Sequence, residues 1–118
     1  MELPKQSLLL RIYLGEGDRH GAVPLYEAIV LKAREAGLAG ATVLRGPLGF
    51  GASSRLHTAK ILRLSLDLPV VVEMVDARER IEAFLPVLDG LTGPDSGLLV
   101  TLEEVAVHRY QGKAIPLP

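Results

Sequence analysis

Residues 68–76, LPVVVEMVD, put apolar side chains on both faces of any strand they form. Successive side chains along a strand alternate sides, so Val70, Val72 and Met74 face one way and Val71, Glu73 and Val75 the other. Residues 7–14, SLLLRIYL, repeat the pattern, with Leu8, Leu10, Ile12 and Leu14 opposed to Ser7, Leu9, Arg11 and Tyr13. Only two stretches of the chain read as helices, enough to shield one face of a sheet. A solvated sheet face is normally polar throughout, and an exposed face this apolar marks an interface. The pattern therefore predicts a homo-oligomer built on sheet faces, with Arg11 and Glu73 able to pair across them.

The first helical stretch is PLYEAIVLKAREAG (24–37), in which Leu25, Ile29, Ala33 and Ala36 share one face. Pro24 suits the first helical position and Gly37 supplies the stop. In the second, ARERIEAFLPVL (77–88), Ala77, Ile81, Phe84, Leu85 and Leu88 form a core-facing stripe. Asp76 is expected to cap it, with Glu79 as the capping-box partner, and Pro86 to bend its last turn. Residues 40–46 and 98–110 read as further strands, the latter interrupted near Glu103 and Glu104. The order β-α-β-β-α-β predicts an α+β, ferredoxin-like fold: a four-stranded antiparallel sheet with both helices on one face. At 118 residues the chain reads as one domain, with a core of about 7–110. The tail 111–118 has two prolines and is expected to dangle or to strap a neighbour.

Composition excludes some chemistry. The formal net charge is −1, with charges mixed along the chain, so no nucleic-acid partner is expected. There is no cysteine, which rules out disulfides and thiolate metal sites. The early apolar run, Leu8 to Leu10, is too short for a signal peptide or a membrane span. A cytoplasmic location without membrane insertion follows as the expectation. Asparagine is absent and arginine outnumbers lysine nine to four, which fits a thermophile and equally a GC-rich genome.

The stretch GPLGFGASSRLHTAK (46–60) carries most of the candidate chemistry. GPLGFGAS nearly matches a phosphate-binding P-loop, but Ala52 stands where the lysine must be. The segment beyond it, ending at Pro69, leaves no room for the long helix whose N-terminus would hold the phosphates. Gly49-Phe50-Gly51 is no dinucleotide fingerprint either, since no β-α-β unit follows. Successive backbone N–H groups in a glycine turn can nonetheless cradle an anion, with Arg45, Arg55, His57, Lys60 and Arg63 close by. A plain hairpin connection with solvated cations is the competing reading.

The blocks DRHG-x-x-PLYEAIV and GATVLRG-x-LGFGA-S, within a pattern running from about Leu8 to Tyr110, resemble the family called domain of unknown function one hundred and ninety. That family resembles the PII signal-transduction proteins, trimers of ferredoxin-like subunits. They bind adenine nucleotides between subunits and dock on transporters and enzymes through a mobile loop between the second and third strands. In some genomes the family is encoded beside fluoride-channel or other ion-transport genes. The resemblance implies a regulatory homotrimer, a transporter or channel as partner, and an adenine nucleotide or other anion as ligand. Gly49, Phe50 and Gly51 match the GFG at the base of the PII loop, and His57 and Thr58 its HT pair. Thr92, Gly93 and Gly97 resemble the turn cradling phosphates from the other side.

The departures concern charge. Ala52 and Ser53 replace an arginine and a glutamine, Leu98 replaces a phosphate-binding lysine, and His108, Arg109 and Tyr110 only approximate the C-terminal arginines. The loop has no tyrosine, so uridylylation there is not expected. Losing charge-assisted contacts weakens phosphate binding. The candidate ligand-binding residues are Arg45, Gly46, Gly49, Gly51, Ser53, Ser54, Arg55, His57, Gly93, Gly97 and Arg109. Two bland readings stand beside them: Asp18 capping its own loop with His20 solvated, and an oligomer that docks a partner without any ligand. A hydrolase or metal enzyme built on His57 with Ser53 or Ser54 is the enzymatic alternative, but no acid is placed to orient the imidazole. His20, His57 and His108 lack metal-ligand spacing. Neither a catalytic nor a metal site is expected.

Overall fold

The computed structural model describes residues 3–51, 68–93 and 96–110. Its elements follow the expected order: β1 (Gln6–Gly15), a small ribbon of β2 (Arg19–His20) and β3 (Val23–Pro24), α1 (Leu25–Glu35), β4 (Thr42–Arg45), β5 (Pro69–Asp76), α2 (Arg78–Thr92) and β6 (Leu99–Ala106). The sheet runs β4-β5-β1-β6, antiparallel at every junction. The fold is thus the ferredoxin-like α+β arrangement, with the ribbon as an addition between β1 and α1.

The helix-facing residues of β1 and β5 are the driest in the molecule. Leu10, Ile12 and Val72 have no exposed surface, and Leu8, Leu14, Val70 and Met74 are buried beside them. Leu25, Ile29 and Ala33 of α1 and Ile81, Phe84 and Leu88 of α2 join the same cluster, so both helices cover one face. Burying each of the larger side chains among them contributes about 1.5–3 kcal/mol. Leu85 packs only at the margin of this core.

The other face has no helices. Leu9 is buried there, but Tyr13 is 37%, Leu44 51% and Leu99 56% exposed, while Val71, Val75 and Val105 are half-buried. Arg11 crosses this face between two carboxylates: its Nε donates to Glu73 Oε2 at 2.8 Å and its Nη1 to Glu103 Oε1 at 3.3 Å. The Glu73 hydrogen bond holds the guanidinium above its ordinary pKa, opposed by desolvation and helped by the charges of both carboxylates. The group is therefore charged at every accessible pH.

Four details differ from the sequence reading. Pro24 precedes the first helical turn instead of entering it: its ψ of 140° is extended, and Leu25 N–H is taken by Asp18 O at 2.8 Å. Helix α2 passes through Pro86, which is exposed, and continues to Thr92. β6 is continuous past Glu103 and Glu104, because its register with β1 advances evenly from Gln6↔Ala106 to Tyr13↔Leu99 with no bulge. Asp76 does not form the capping box: the capping position of α2 is Ala77, with no side-chain cap.

The Asp76 carboxylate, 1% exposed, serves the tertiary structure instead. Its Oδ1 accepts from Ala77 N–H at 2.7 Å and faces Arg80 Nε at 3.1 Å, while Oδ2 accepts from Ala39 N–H at 2.9 Å. One side chain thus ties β5, the α1–β4 connection and the start of α2. At the same end of the sheet Val107 N–H donates to Lys5 O, and Tyr110 Oη–H donates to Ala39 O at 2.9 Å. Residues 107–110 therefore cross the width of the sheet. Replacing Asp76 by Ala leaves buried N–H groups without partners, and is expected to cost about 2–4 kcal/mol. Urea denaturation at fixed protein concentration measures it; a change below about 0.5 kcal/mol would contradict the assignment.

Candidate functional site

The base of the glycine loop is built at the end of the sheet where β1 finishes. Gly46 N–H donates to Pro69 O at 2.8 Å, extending the β4–β5 ladder one step, and Glu16 N–H donates to Leu68 O at 2.8 Å. A Cβ at Gly46 would lie 3.0 Å from Pro69 Cγ, and one at Gly49 3.1 Å from the same atom. A side chain at either position would press on the proline ring, which would have to give by a few tenths of an ångström. Arg45 Nη2 meets Glu16 Oε2 at 2.6 Å, with Arg45 53% and Glu16 26% exposed. An incoming anion would share this guanidinium, whose five donors leave room for a second acceptor. Leu48 and Phe50 beside it are 70% and 72% exposed. Gly51 is exposed and is the last described residue before 68. Ser53, Ser54, Arg55, His57, Thr58, Lys60 and Arg63 lie outside the described residues.

The second turn lies at the same end of the sheet but at the other edge. Gly93 closes α2 with φ +76°, donating its N–H to Asp89 O at 3.1 Å, and Gly97 has φ +72°. Both sit in the left-handed region that favours glycine. The chain then enters β6 at Leu99, opposite Tyr13. Leu88, Asp89, Thr92, Gly93, Ser96, Leu98 and Val100 line an open cavity of about 470 Å³ on the inner side of this turn. Periodicity does not single out Asp89, Ser96 or Val100, since only the incomplete cover over edge strand β6 brings them together.

These two turns do not meet within one copy. They are separated by the three strand spacings of the sheet, about 14 Å. Arg109 is farther away, between Val107, which is bonded to Lys5, and Tyr110, which is bonded to Ala39, at the opposite end of β1.

The DRHG segment behaves largely as loop chemistry. Asp18 Oδ2 accepts from Gly15 N–H at 3.0 Å, and Arg19 Nη2 donates to Ala22 O at 2.6 Å. His20 is exposed yet not merely solvated: its Nδ1 lies 3.2 Å from Leu91 O, linking the ribbon to the last turn of α2. Among the described residues no three His, Asp or Glu side chains gather to hold a metal. Nor is any described helix long and apolar enough to cross a membrane.

The fold is a PII-like ferredoxin fold. Over 86% of this chain and 89% of the other, it superposes on a protein of Thermus thermophilus described as PII-like signaling, at TM-score 0.60 and 17% identity. It superposes on CPII of Thiomonas intermedia, solved bound to ADP, AMP and acetate, over 88% and 90% of the two chains at TM-score 0.54 and 18% identity. These likenesses concern the fold. The sequence itself is more specific: residues 7–107 match DUF190, described as "Uncharacterized ACR", and the chain belongs to that family. A UPF0166 protein of Aquifex aeolicus is 39% identical over 99 residues, 84% of this chain and 90% of its own length. Another from Methanocaldococcus jannaschii is 35% identical over 108 residues, 92% and 95% of the two chains.

The Arg45–Glu16 pair is half-exposed, so its removal costs the fold little. Arg45→Ala is expected to lower stability by less than about 1 kcal/mol in urea denaturation. A larger loss would make Arg45 a structural residue and remove it from the site.

Proposed function

We propose that this chain is a non-enzymatic regulatory protein. It is a single domain with a core of about 7–110 that assembles as a homotrimer in the cytoplasm. It binds a small anion, an adenine nucleotide in the first instance, in the clefts between subunits. Loop 46–69 reports occupancy to a partner, an ion transporter or channel. The observation carrying this reading is the division of the candidate anion site. Two glycine turns lie at one end of the sheet on opposite edges, beside a face whose apolar side chains lack cover. One copy holds half a site twice over, and association would bury the face and join the halves. The ADP and AMP bound to CPII indicate the class of ligand to try first.

In this reading Arg45, Gly46, Gly49 and Gly51 line one side of the ligand, and Ser53, Ser54, Arg55 and His57 close over it from the loop. Gly93 and Gly97 of a second copy approach from the other side, whereas Arg109 stays outside this cleft, because the copy that supplies Gly97 carries its Arg109 at the far end of β1. With Ala52, Ser53 and Leu98 in place of charged or amide donors, each missing charge-assisted contact weakens phosphate binding by about 1.5–3 kcal/mol, roughly ten- to hundredfold.

Light scattering at micromolar concentration is expected to give three times the chain mass. Isothermal titration is expected to show heat with ADP, AMP or inorganic phosphate. Arg55→Ala and Gly51→Val should abolish that heat while circular dichroism stays unchanged. A monomeric mass, or no heat with any of the three, would overturn the reading.

A further inference from the structure

Arg45 is the last residue of β4, and its guanidinium is engaged within the chain: Nη2 meets Glu16 Oε2 at 2.6 Å. The strand register places this pair. Arg45 stands opposite Val70, whose side chain is in the core, so Arg45 leaves the sheet on the helix-covered side. Glu16 is two positions beyond Leu14, another core residue, and leaves on the same side. β5 lies between β4 and β1. The ion pair therefore arches over the first residues of β5, where the chain re-enters the sheet after the glycine loop. Glu16 is fixed there by its own backbone, whose N–H donates to Leu68 O at 2.8 Å.

We propose that Glu16 is an internal competitor for the anion: it lowers the affinity of the loop base for phosphoryl groups and excludes free carboxylates. The inference rests on the anion reading above and names the residue that limits it. The guanidinium is the more exposed partner, 53% against 26%, so a ligand from solution reaches it first. A dissolved carboxylate offers Arg45 the same two oxygens that Glu16 offers. Glu16 is tethered, however, and competes at the high effective concentration of a short linkage. A free carboxylate gains nothing by displacing it.

A phosphoryl dianion differs twice over. Its larger charge is drawn more strongly to a guanidinium that lies nearer to it than the carboxylate behind. Its additional oxygen remains available to peptide N–H groups of the glycine turn. It can therefore settle on the donors of Arg45 that Glu16 leaves open, while the like charge of Glu16 holds its affinity down. A clasp that merely braces the corner is the competing arrangement. Neutralising Glu16 would then loosen the loop base and leave anion binding unchanged or weaker.

Isothermal titration of inorganic phosphate, ADP and sodium acetate into the wild-type chain and into Glu16→Gln separates the two. The substitution keeps the shape of the side chain and removes its charge. It is expected to tighten phosphate and ADP about three- to tenfold. It is also expected to make acetate a competitor of phosphate, which acetate is not in the wild-type chain. Glu35→Gln removes the same charge from an exposed pair with Lys32 at the far end of α1, and is expected to change neither property. Unchanged or weaker phosphate binding in Glu16→Gln, acetate competition in the wild-type chain, or an equal gain in Glu35→Gln would overturn the inference and leave the anion reading in place. Heat with phosphate from Glu16→Gln alone has the reverse meaning: Glu16 competes, and the wild-type chain loses the anion as its ligand. No heat from either chain removes both.

Discussion

Two helices can cover only one face of a four-stranded sheet, and the consequences of that limit organise this molecule. The covered side is dry to the last side chain at its centre, where Leu10, Ile12 and Val72 meet Phe84 and Ile81. On the uncovered side the apolar residues remain, but a charge network runs among them. Arg11 holds Glu73 and Glu103 in a line across three strands. The triad keeps one net negative charge, so burying this face costs less than burying a lone arginine only where Glu103, 61% exposed, stays at the solvent edge. The face is thus suited to association and selective about alignment.

The loop end of the sheet is organised around a proline. Pro69 begins β5, accepts the last ladder bond from Gly46, and fills with its ring the space beside Gly46 and Gly49. Those two glycines therefore relieve close packing against the ring as well as expose backbone N–H groups. Glu16 reinforces the same corner twice, through its backbone to Leu68 and through its carboxylate to Arg45.

Much of this is legible from residue order alone. Period-two alternation in 7–14 and 68–76 assigns both central strands and both of their faces, and the Arg11–Glu73 pair follows from those faces. The stripe Ile81, Phe84, Leu88 marks the buried side of α2. What misleads is local chemistry overridden by tertiary demand. Asp76 followed by Glu79 reads as a capping box, yet the carboxylate is drawn inward to Ala39, 37 residues earlier in the chain, a partner that no local pattern can reveal. Glu103 and Glu104 suggest a break because adjacent carboxylates rarely share a buried strand, but β6 is an edge and both are exposed. The candidate site is legible as two separate glycine turns. Their positions on opposite edges depend on strand order, which local composition does not encode.

The tie from Tyr110 to Ala39 also decides how the molecule can be held. It brings the chain out of the described core at the rim where β1 begins, whereas the glycine loop rises from the rim where β1 finishes. A tether attached at Tyr110 would hold each copy by the rim opposite the two glycine turns. Immobilisation at that rim therefore leaves the end carrying the two glycine turns open to whatever approaches from solution.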